Sequence, residues 1–335
     1  MNHPFDTIVA SPDGGWLHQR GDDYRLAWRL STTDTWLAEV PRELTAQIPA
    51  AVWASGPTAT LERSGAVATV TVAAGGLAWQ LPTTDGWPQP APPAAAGDWY
   101  PSRLLTDAWR PVLPCMGTDY SRPALCGLEI SVVGGYLRLT ATDTYRLGQW
   151  HSAGSVDAPD GSAVAPAGAV NWLAKQKTAW QWRLTGTGIE ALGDGWRLWA
   201  EGLIGYPDYR TVAREGGNGT STASVSAAEL ASAVKAVTVG KPFRTVRLAW
   251  GWTDGLITLT GRGQPGKGVT VQPSASASLE AGTNGTATIT VDPDRLRPML
   301  AALGKADCTL HWTASTRPLS IVAGNYLGVL MCCRE

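Results

Sequence analysis

Residues 136–150 have the sequence YLRLTATDTYRLGQW, in which apolar and polar side chains alternate up to a polar turn. This alternation predicts a half-buried strand that ends in the turn. The same mark recurs as WLHQRGDDYRLAW at 16–28 and as LITLTGRG at 256–263. Its reference positions Leu17, Leu137 and Ile257 are 120 residues apart in both intervals. Even spacing of one pattern indicates an internal repeat.

A second mark gives nearly the same period. Valine followed within two positions by proline, and then by a short amphipathic segment, occurs at Val40-Pro41, Val164-Ala165-Pro166 and Val291-Asp292-Pro293. The valines are 124 and 127 residues apart. Proline suits the first turn of a helix, where its missing N–H costs nothing. Two independent marks with matching spacing predict three copies of one unit of about 122 residues.

Between these marks the chain is dominated by short alternating runs, including GLAWQL, YLRLTAT, WRLWAEGLI, TVRLAW, LITLTG and TATITV. Helical spacing of apolar residues is confined to short segments, which are 42–48, 102–113, 170–177, 227–237 and 294–303. The fold class predicted is therefore α+β, with antiparallel strands and a few short helices.

The repeat divides the chain into three tandem domains at 1–97, 98–217 and 218–335. The joins fall in the Pro/Ala-rich WPQPAPPAAAGDW and the Gly/Ser/Thr-rich REGGNGTSTAS. Sixteen residues precede Leu17, whereas Leu137 and Ile257 each follow a strand and a helix. Three full units would need about 366 residues, so we expect the first domain to lack its opening strand and helix.

Composition excludes several classes of protein. The chain is 44% hydrophobic and 16% charged, with 27 basic against 28 acidic residues among 335, so a disordered chain is excluded. No apolar run approaches the roughly 20 residues that span a bilayer, and the N-terminus has no export signal. The five cysteines form no CxxC pair and suit a reducing compartment, so we expect a cytoplasmic protein without membrane contact.

A catalytic or metal centre is not predicted. The four histidines are scattered without ligand spacing, and GRGQPGKG at 261–268 lacks the GK[ST] ending of a phosphate loop. Asp143 and Asp208 lie on predicted turns, where capping explains them. Cys332 and Cys333 are adjacent, so their side chains diverge in a strand. We therefore expect no enzyme activity, no catalytic residues, no metal and no cofactor.

Seventeen tryptophans allow a second interpretation, a glycan-binding surface. Trp28, Trp79, Trp182 and Trp252 fall inside alternating runs, where aromatic side chains normally pack against a sheet. Core packing is therefore the favoured interpretation, and a Trp-rich β-repeat glycan-binding protein is kept as an alternative.

Two stretches, LRLTATDTYRLG at 137–148 and EGLIGYPDYRTV at 201–212, resemble the signature segments of the bacterial DNA polymerase III beta subunit, the replicative sliding clamp. SRPALCGLEISVVGGYLRLTATDTYRLG at 121–148 resembles its middle domain without a gap, KPFRTVRL at 241–248 the start of its third domain, and YLGVLMCCRE its C-terminal strand and tail. WLAEVPREL and QLPTTDGWP resemble the late part of its first domain. The chain is similar to a divergent, phage-like or accessory member with a shortened first domain.

The resemblance implies three tandem clamp domains with antiparallel sheets outside and short helices lining a central channel. Two such chains would close head to tail into a homodimeric ring around double-stranded DNA, bound without regard to sequence. The implied function is that of a polymerase processivity factor, with DNA polymerase, a clamp loader and clamp-binding-motif peptides as partners. A clamp-like adaptor or decoy that binds clamp ligands without encircling DNA is the alternative within this fold.

Carried over by matched motif, the resemblance implies a hydrophobic peptide-binding cleft. Its residues would be Arg122, Leu125, Thr142, Thr144, Tyr145, Arg146, Leu147, Pro207, Thr211, Val212, Phe243, Val329, Leu330, Met331 and Arg334. For Leu147, Val212 and Leu330, plain core packing is the alternative role.

The bases on or beside the predicted helices are the candidates for lining a DNA channel. They are Arg103, Arg110, Lys175, Lys177, Lys235, Arg295, Arg297 and Lys305. Lysine and arginine attract phosphates without reading bases, as sliding requires, and the alternative for each is a solvated helix face.

The chain departs from the family pattern at the cleft. Thr144-Tyr145 stands where the family has Gly-His, and Thr211 stands in place of a basic residue. Cys332-Cys333 and Glu335 replace a Met-Pro-Met type ending. We therefore expect an altered preference for peptides.

Overall fold

The computed structural model describes most of the chain. The described residues are 5–11, 14–20, 25–30, 36–64, 67–83, 98–215, 219, 221–238, 245–251, 257–261, 268–271, 286–313 and 317–333. They form mostly antiparallel strands with a few short helices, so the predicted α+β class is confirmed.

Three runs of elements follow one another along the chain. The first contains β1 Phe5–Ser11, β2 Gly14–Arg20, β3 Arg25–Leu30, β4 Trp36–Pro41, α1 Arg42–Thr45, α2 Ala50–Ala54, β5 Thr58–Ser64, β6 Val67–Ala74 and β7 Leu77–Pro82. The second contains β8 Tyr100–Pro101, α3 Arg103–Trp109, β9 Gly127–Val133, β10 Tyr136–Thr142, β11 Arg146–His151, β12 Gly161–Pro166, α4 Ala167–Leu173, β13 Trp180–Leu184, β14 Gly188–Gly193, β15 Trp196–Glu201 and α5 Arg210–Glu215.

The third run contains β16 Ser221–Ser226, α6 Ala227–Thr238, β17 Val246–Gly251, β18 Ile257–Gly261, β19 Gly268–Val271, β20 Thr286–Val291, α7 Pro293–Leu303, β21 Asp307–Trp312, β22 Leu319–Ala323 and β23 Tyr326–Leu330. From β8 to β15 and from β16 to β23 the order of strands and helices is the same. The domain boundaries at 97/98 and 217/218 remain predictions; most of the first join, and residues 216–218 and 220 of the second, lie outside the described residues.

By its internal contacts the chain divides into two compact units. The first comprises 1–104 and 162–203, and the second comprises 105–161 and 204–335.

In the first unit, eight strands form one antiparallel sheet in the order β4-β1-β2-β3-β15-β14-β13-β8, and β5-β6-β7 form a second sheet. Tryptophan rings fill the core, since Trp172 contacts Trp28 and Trp196 edge to face with centroids 6.0 and 4.8 Å apart. Trp28 and Trp182 are buried and Trp79 is half-buried, while Trp252 lies outside the described residues. Every tryptophan whose side chain the structure describes is at least partly buried, which favours core packing over a glycan surface.

In the second unit, seven strands form an antiparallel sheet in the order β9-β10-β11-β23-β22-β21-β16, and a smaller sheet has the order β19-β18-β17-β20. Helices α6 and α7 pack against each other, and α6 also packs on β18 and β19. The centre of the long sheet is the β11–β23 pair, whose register sets Leu147 opposite Val329. This pair is the base of the site described below.

Three helices in the structure differ from those expected from the sequence. The segment expected at 102–113 is helical only as α3, because Pro111 and Pro114 cannot continue an α-helix, and a 3-10 turn follows at Leu113–Cys115. Helix α4 ends at Leu173, so Lys175 and Lys177 lie beyond it. The six-residue α5 was not anticipated, since its pattern is too short to show periodicity.

Candidate functional site

The turn between β10 and β11 is held by side-chain hydrogen bonds. The Thr142 hydroxyl accepts the Thr144 N–H at 3.1 Å and donates to the Arg146 carbonyl at 2.8 Å. The Asp143 carboxylate accepts the N–H groups of Tyr145 and Arg146, both at 2.9 Å. Thr144 adopts a φ of 75°, a conformation rarely used by β-branched residues. The turn therefore presents the Tyr145 side chain to solvent.

An apolar cluster lies beside this turn. Leu147 of β11, Val329 of β23 and Tyr209 are buried together, and the partly buried Tyr206, Ala213 and Leu327 pack against them. Helix α5 packs on β23, which brings Ala213 to the cluster. Two strands thus form an apolar floor, and α5 with the chain leading into it forms a wall.

Exposed apolar side chains surround this floor. Tyr145, Val212 and Met331 expose 51%, 41% and 43% of their surface. The Met331 N–H donates to the Tyr145 carbonyl at 2.8 Å, which ties the segment after β23 to the turn before β11. Exposed apolar groups grouped around a buried apolar floor are typical of a site for an apolar partner, and methionine adapts to different partners. We call the floor, α5 and these three exposed residues the apolar groove.

Two tyrosines in the wall of the groove are fixed by their hydroxyl groups. The Tyr209 hydroxyl donates to the Glu129 carboxylate and accepts the Thr140 hydroxyl at 3.1 Å. The Tyr206 hydroxyl donates to the Thr140 carbonyl at 3.2 Å. Burial raises the pKa of both tyrosines, and the negative charge of Glu129 adds to the rise. Both hydroxyls therefore stay protonated and act as donors at neutral pH.

A charged cluster borders the exposed Tyr145. The Arg295 guanidinium of α7 lies 4.0 Å from the centre of the Tyr145 ring and forms an ion pair with Asp292. Asp143 lies 3.0 Å from the Arg146 guanidinium and 3.9 Å from that of Arg295. Two arginines and two aspartates balance each other, so this side of the groove carries little net charge. It suits an apolar or aromatic group better than a strongly charged one.

Most of the predicted cleft residues lie in or beside this groove. Those that the structure brings together are Thr142, Thr144, Tyr145, Arg146, Leu147, Thr211, Val212, Val329, Leu330 and Met331. Leu330 is fully buried in the β11–β23 pair, in agreement with the core-packing alternative.

Of the five other predicted cleft residues, three lie within the described part of the chain. Leu125 is buried and Arg122 exposed at a 3-10 turn, Pro123–Leu125. Gly205 approaches Ala124 of that turn, since a Cβ on Gly205 would be 4.0 Å from the Ala124 Cβ. Pro207 is half-buried between Tyr206 and Tyr209. Phe243 and Arg334 lie outside the described residues.

Sequence reasoning missed several groove residues, above all Tyr206 and Tyr209, with Ala213 and Leu327 beside them. Both tyrosines lie within the EGLIGYPDYRTV stretch, so an aromatic pair spaced by three residues was the available signal.

Arg295 was predicted as a residue that contacts DNA, but its guanidinium stacks on the ring of Tyr145. Helix periodicity could not show this, because the contact partner is 150 residues away in sequence.

The other predicted DNA-contacting bases are exposed. They are Arg103 on α3, Arg110 after it, Lys175 and Lys177 after α4, Lys235 on α6, Arg297 on α7 and Lys305 after α7. Within the described residues none of these seven forms an ion pair with an acidic side chain. Lys235 and Arg297 border the same open groove of about 450 Å³ between α6 and α7, which Asp294 also lines without an ion pair to either base. Their charges are therefore available to an anionic partner.

The described residues contain no group of three or more His, Cys, Asp or Glu side chains that could hold a metal ion. All five cysteines are free thiols, and burial raises the pKa of Cys115 to about 12. Every helix in the described ranges is too short or too polar to cross a bilayer. Most of the 261–268 segment lies outside the described residues.

Solved structures of bacterial replication proteins match this chain closely in fold. The DNA polymerase III beta subunit of Pseudomonas aeruginosa aligns with a TM-score of 0.78 at 18% identity, over 99% of this chain and 92% of that one. The sliding clamp of Bacillus subtilis aligns with a TM-score of 0.79 at 18% identity, over 99% and 91%. The beta subunit of Thermotoga maritima aligns with a TM-score of 0.77 at 16% identity, over 99% and 91%. No family model matches the chain.

The antiparallel sheets, the short helices and these alignments define the fold class as that of the DNA sliding clamps. Within that class, the solved structures that this chain matches are bacterial DNA polymerase III beta subunits, and the resemblance drawn from the sequence is confirmed at the level of the fold. At 16–18% identity the chain is divergent from them.

Proposed function

We propose that this protein is a non-catalytic DNA sliding clamp, a processivity factor that encircles duplex DNA and tethers DNA polymerase and other partners. The observation that carries the proposal is the alignment of 99% of the chain with bacterial clamps at TM-scores of 0.77 to 0.79. The protein would act in the cytoplasm, as a homodimeric ring built from three domains per chain and opened by a clamp loader.

The apolar groove supports the tethering role. A short peptide in extended conformation could place its apolar side chains against the exposed Tyr145, Val212 and Met331, beside the buried Leu147 and Val329. A concave apolar surface with a few fixed polar groups is the usual form of a peptide groove. Its aromatic, charge-balanced side fits the altered peptide preference expected from the departures in sequence.

The exposed bases support a sequence-independent DNA contact. Lys235 and Arg297 border one groove, which Asp294 also lines, and within the described residues neither base forms an ion pair with an acidic side chain. Such bases hold DNA through its phosphates, with an affinity that falls steeply as salt is raised. Contact with phosphates alone leaves a clamp free to slide.

Topological retention tests the encircling claim. The protein is loaded by a bacterial clamp loader onto nicked circular plasmid, half of which is then cut once, and bound protein is measured after gel filtration. We expect retention on the circle and loss from the linear form, because a ring slides off free ends. Equal loss from both would refute encirclement and leave the adaptor or decoy alternative.

Peptide binding tests the groove separately. A fluorescein-labelled, glycine-flanked peptide carrying leucine and phenylalanine is titrated against wild type, Val212→Ser and Met331→Ser. We expect both variants to bind about fivefold or more weakly, since groove-centre apolar contacts dominate such interfaces. Val133→Ser, which changes a 58% exposed valine of β9, is the matched control and should bind as wild type does. Equal binding by all four proteins would place the peptide elsewhere.

A further inference from the structure

A row of polar side chains crosses the sheet beside the apolar floor. Glu129 of β9, Thr140 of β10 and Gln149 of β11 are neighbours in register, and the Gln149 amide donates to the Thr140 hydroxyl at 3.3 Å. Side chains two residues apart on a strand share a face, so this row lies on the same face as Thr142, Leu147 and Val329. We call Glu129, Thr140 and Gln149 the polar row.

Tyr209 spans the polar row and the apolar floor. Its ring packs with Leu147 and Val329, while its hydroxyl bonds to Glu129 and Thr140. Thr140 is fully buried and Tyr209 is 6% exposed, so these bonds are shielded from water. A buried hydroxyl with two fixed partners has one favourable position, which an apolar contact alone would not define.

The position of Tyr209 determines where α5 begins. Helix α5 starts at the next residue, Arg210, and the Ala213 N–H donates to the Tyr209 carbonyl at 2.9 Å. Six residues are too few for a helix that is stable by itself, so α5 depends on its attachment to the sheet. It carries Thr211 and the exposed Val212, which border the groove.

We propose that Glu129 and Thr140 are positioning residues that anchor Tyr209, and through it α5, in the arrangement that the groove needs to receive a partner peptide. The inference rests on the proposed function only for its consequence in peptide binding. The anchoring of α5 is a property of the free protein and can be measured without any ligand.

The test uses the full-length protein and two readouts. Hydrogen–deuterium exchange followed by mass spectrometry reports opening of 209–215, and titration with the labelled leucine and phenylalanine peptide reports the groove. The variants are Tyr209→Phe, Thr140→Val and Glu129→Leu, which remove one hydrogen-bonding group each. Glu129→Gln keeps an acceptor for the tyrosine hydroxyl. Tyr136→Phe, which removes the hydroxyl of a 53% exposed tyrosine on β10, is the matched control.

We expect exchange across 209–215 to be about tenfold faster in Tyr209→Phe and Glu129→Leu, with the rest of the chain unchanged, because local opening and global unfolding are separate equilibria. Peptide affinity should fall about fivefold in the same variants. In Glu129→Gln, the exchange rate of 209–215 and the peptide affinity should both stay within about twofold of the wild-type values. Tyr136→Phe should match wild type in both measurements. Thr140→Val, which keeps the shape of the side chain, should also give faster exchange across 209–215 and weaker peptide binding.

Three outcomes would overturn the inference. These are unchanged exchange in 209–215 for all three disruptive variants, faster exchange spread evenly over the chain, or Glu129→Gln behaving like Glu129→Leu. Absence of peptide binding by wild type would contradict the proposed groove function, whereas the exchange data would still decide whether the polar row anchors α5.

Discussion

Arg295 and Arg297 show how strongly the environment of one residue depends on its place on a helix. They are two positions apart on α7, which is roughly 200° around the helix axis. Arg295 is half-buried against Tyr145, Asp143 and Asp292, whereas Arg297 is exposed beside Lys235. From the sequence the two were equivalent candidates for contacting DNA. The structure gives only Arg297 a guanidinium without a described acidic partner.

Substitution of these two arginines should therefore affect different partners. In Arg297→Ala, the slope of log affinity for duplex DNA against log salt should fall in magnitude by about one, because one phosphate contact is lost. Arg295→Ala should change that slope less and weaken peptide binding, since Tyr145 loses its stacking partner. Fluorescence anisotropy over a salt series measures both. Arg317→Ala, an exposed arginine in neither predicted set, is the control, and equal slopes for Arg295→Ala and Arg297→Ala would contradict this division.

At the scale of elements, β11 connects the groove to the core beneath it. One face of β11 bears Leu147 at the groove. At Gly148 the backbone lies directly against the 3-10 turn at Leu113–Cys115, so no side chain fits between them. The floor of the groove thus depends on a close approach that only glycine permits.

Gly148→Ala should destabilise the protein by about 1–3 kcal/mol, the usual cost of overpacking a core. Its Cβ would lie 2.9 Å from the Cys115 Sγ and 3.3 Å from the Val112 Cα. Urea unfolding measures the change. Gly154→Ala, with no atom within 4 Å of the new Cβ, should be close to neutral. Adding Cys115→Ala to Gly148→Ala should recover part of the loss, and failure to do so would point to backbone strain instead.

A second element-scale feature is the ion-pair network across β13, β14 and β15 of the first unit. Glu190 is fully buried and accepts the Arg183 guanidinium at 2.8 and 2.6 Å and the Arg197 Nε at 2.5 Å. Arg183 lies opposite Glu190 in the sheet and also stacks on Trp99 at 4.3 Å. Each strand is thereby tied to its neighbour by a charged pair in addition to its backbone bonds.

Glu190→Ala should lower the free energy of unfolding by about 3–5 kcal/mol, because it leaves the buried Arg183 charge without its carboxylate. Arg197→Ala should cost about 1 kcal/mol, since the Arg197 side chain is a quarter exposed and Glu190 keeps Arg183. Urea titrations at neutral pH compare the two. An equal loss of unfolding free energy in the two variants would contradict the larger contribution that deeper burial predicts for the pair of Arg183 and Glu190.

At the scale of the whole molecule, the proposed function depends on association of two chains. A closed head-to-tail ring requires one surface of each chain to meet a different surface of its partner. A dimer held by such a noncovalent contact dissociates as the chain is diluted.

Sedimentation equilibrium should therefore show a dimer of about twice 35.4 kDa at tens of micromolar, which dissociates on dilution. A monomer at that concentration would contradict the ring while leaving the fold and the apolar groove intact. Retention on circular DNA by a monomeric protein is not expected, so the two experiments check each other.

The sequence by itself determined the α+β class, the repeated order of elements and the neighbourhood of the groove. The first two follow from local patterns, namely alternation in strands such as β10 and prolines at helix starts such as α7, whereas the stretches around Leu147 and Val212 were predicted from their resemblance to the sliding clamps. Only the tertiary structure decided that Tyr209 lies on Glu129 and Thr140, that Arg295 stacks on Tyr145, and that α5 forms a wall. The physical reason is that local periodicity specifies which face of an element is apolar, whereas hydrogen bonds and stacking between residues about 70 to 150 positions apart arise only when strands pair in register and helices pack on them.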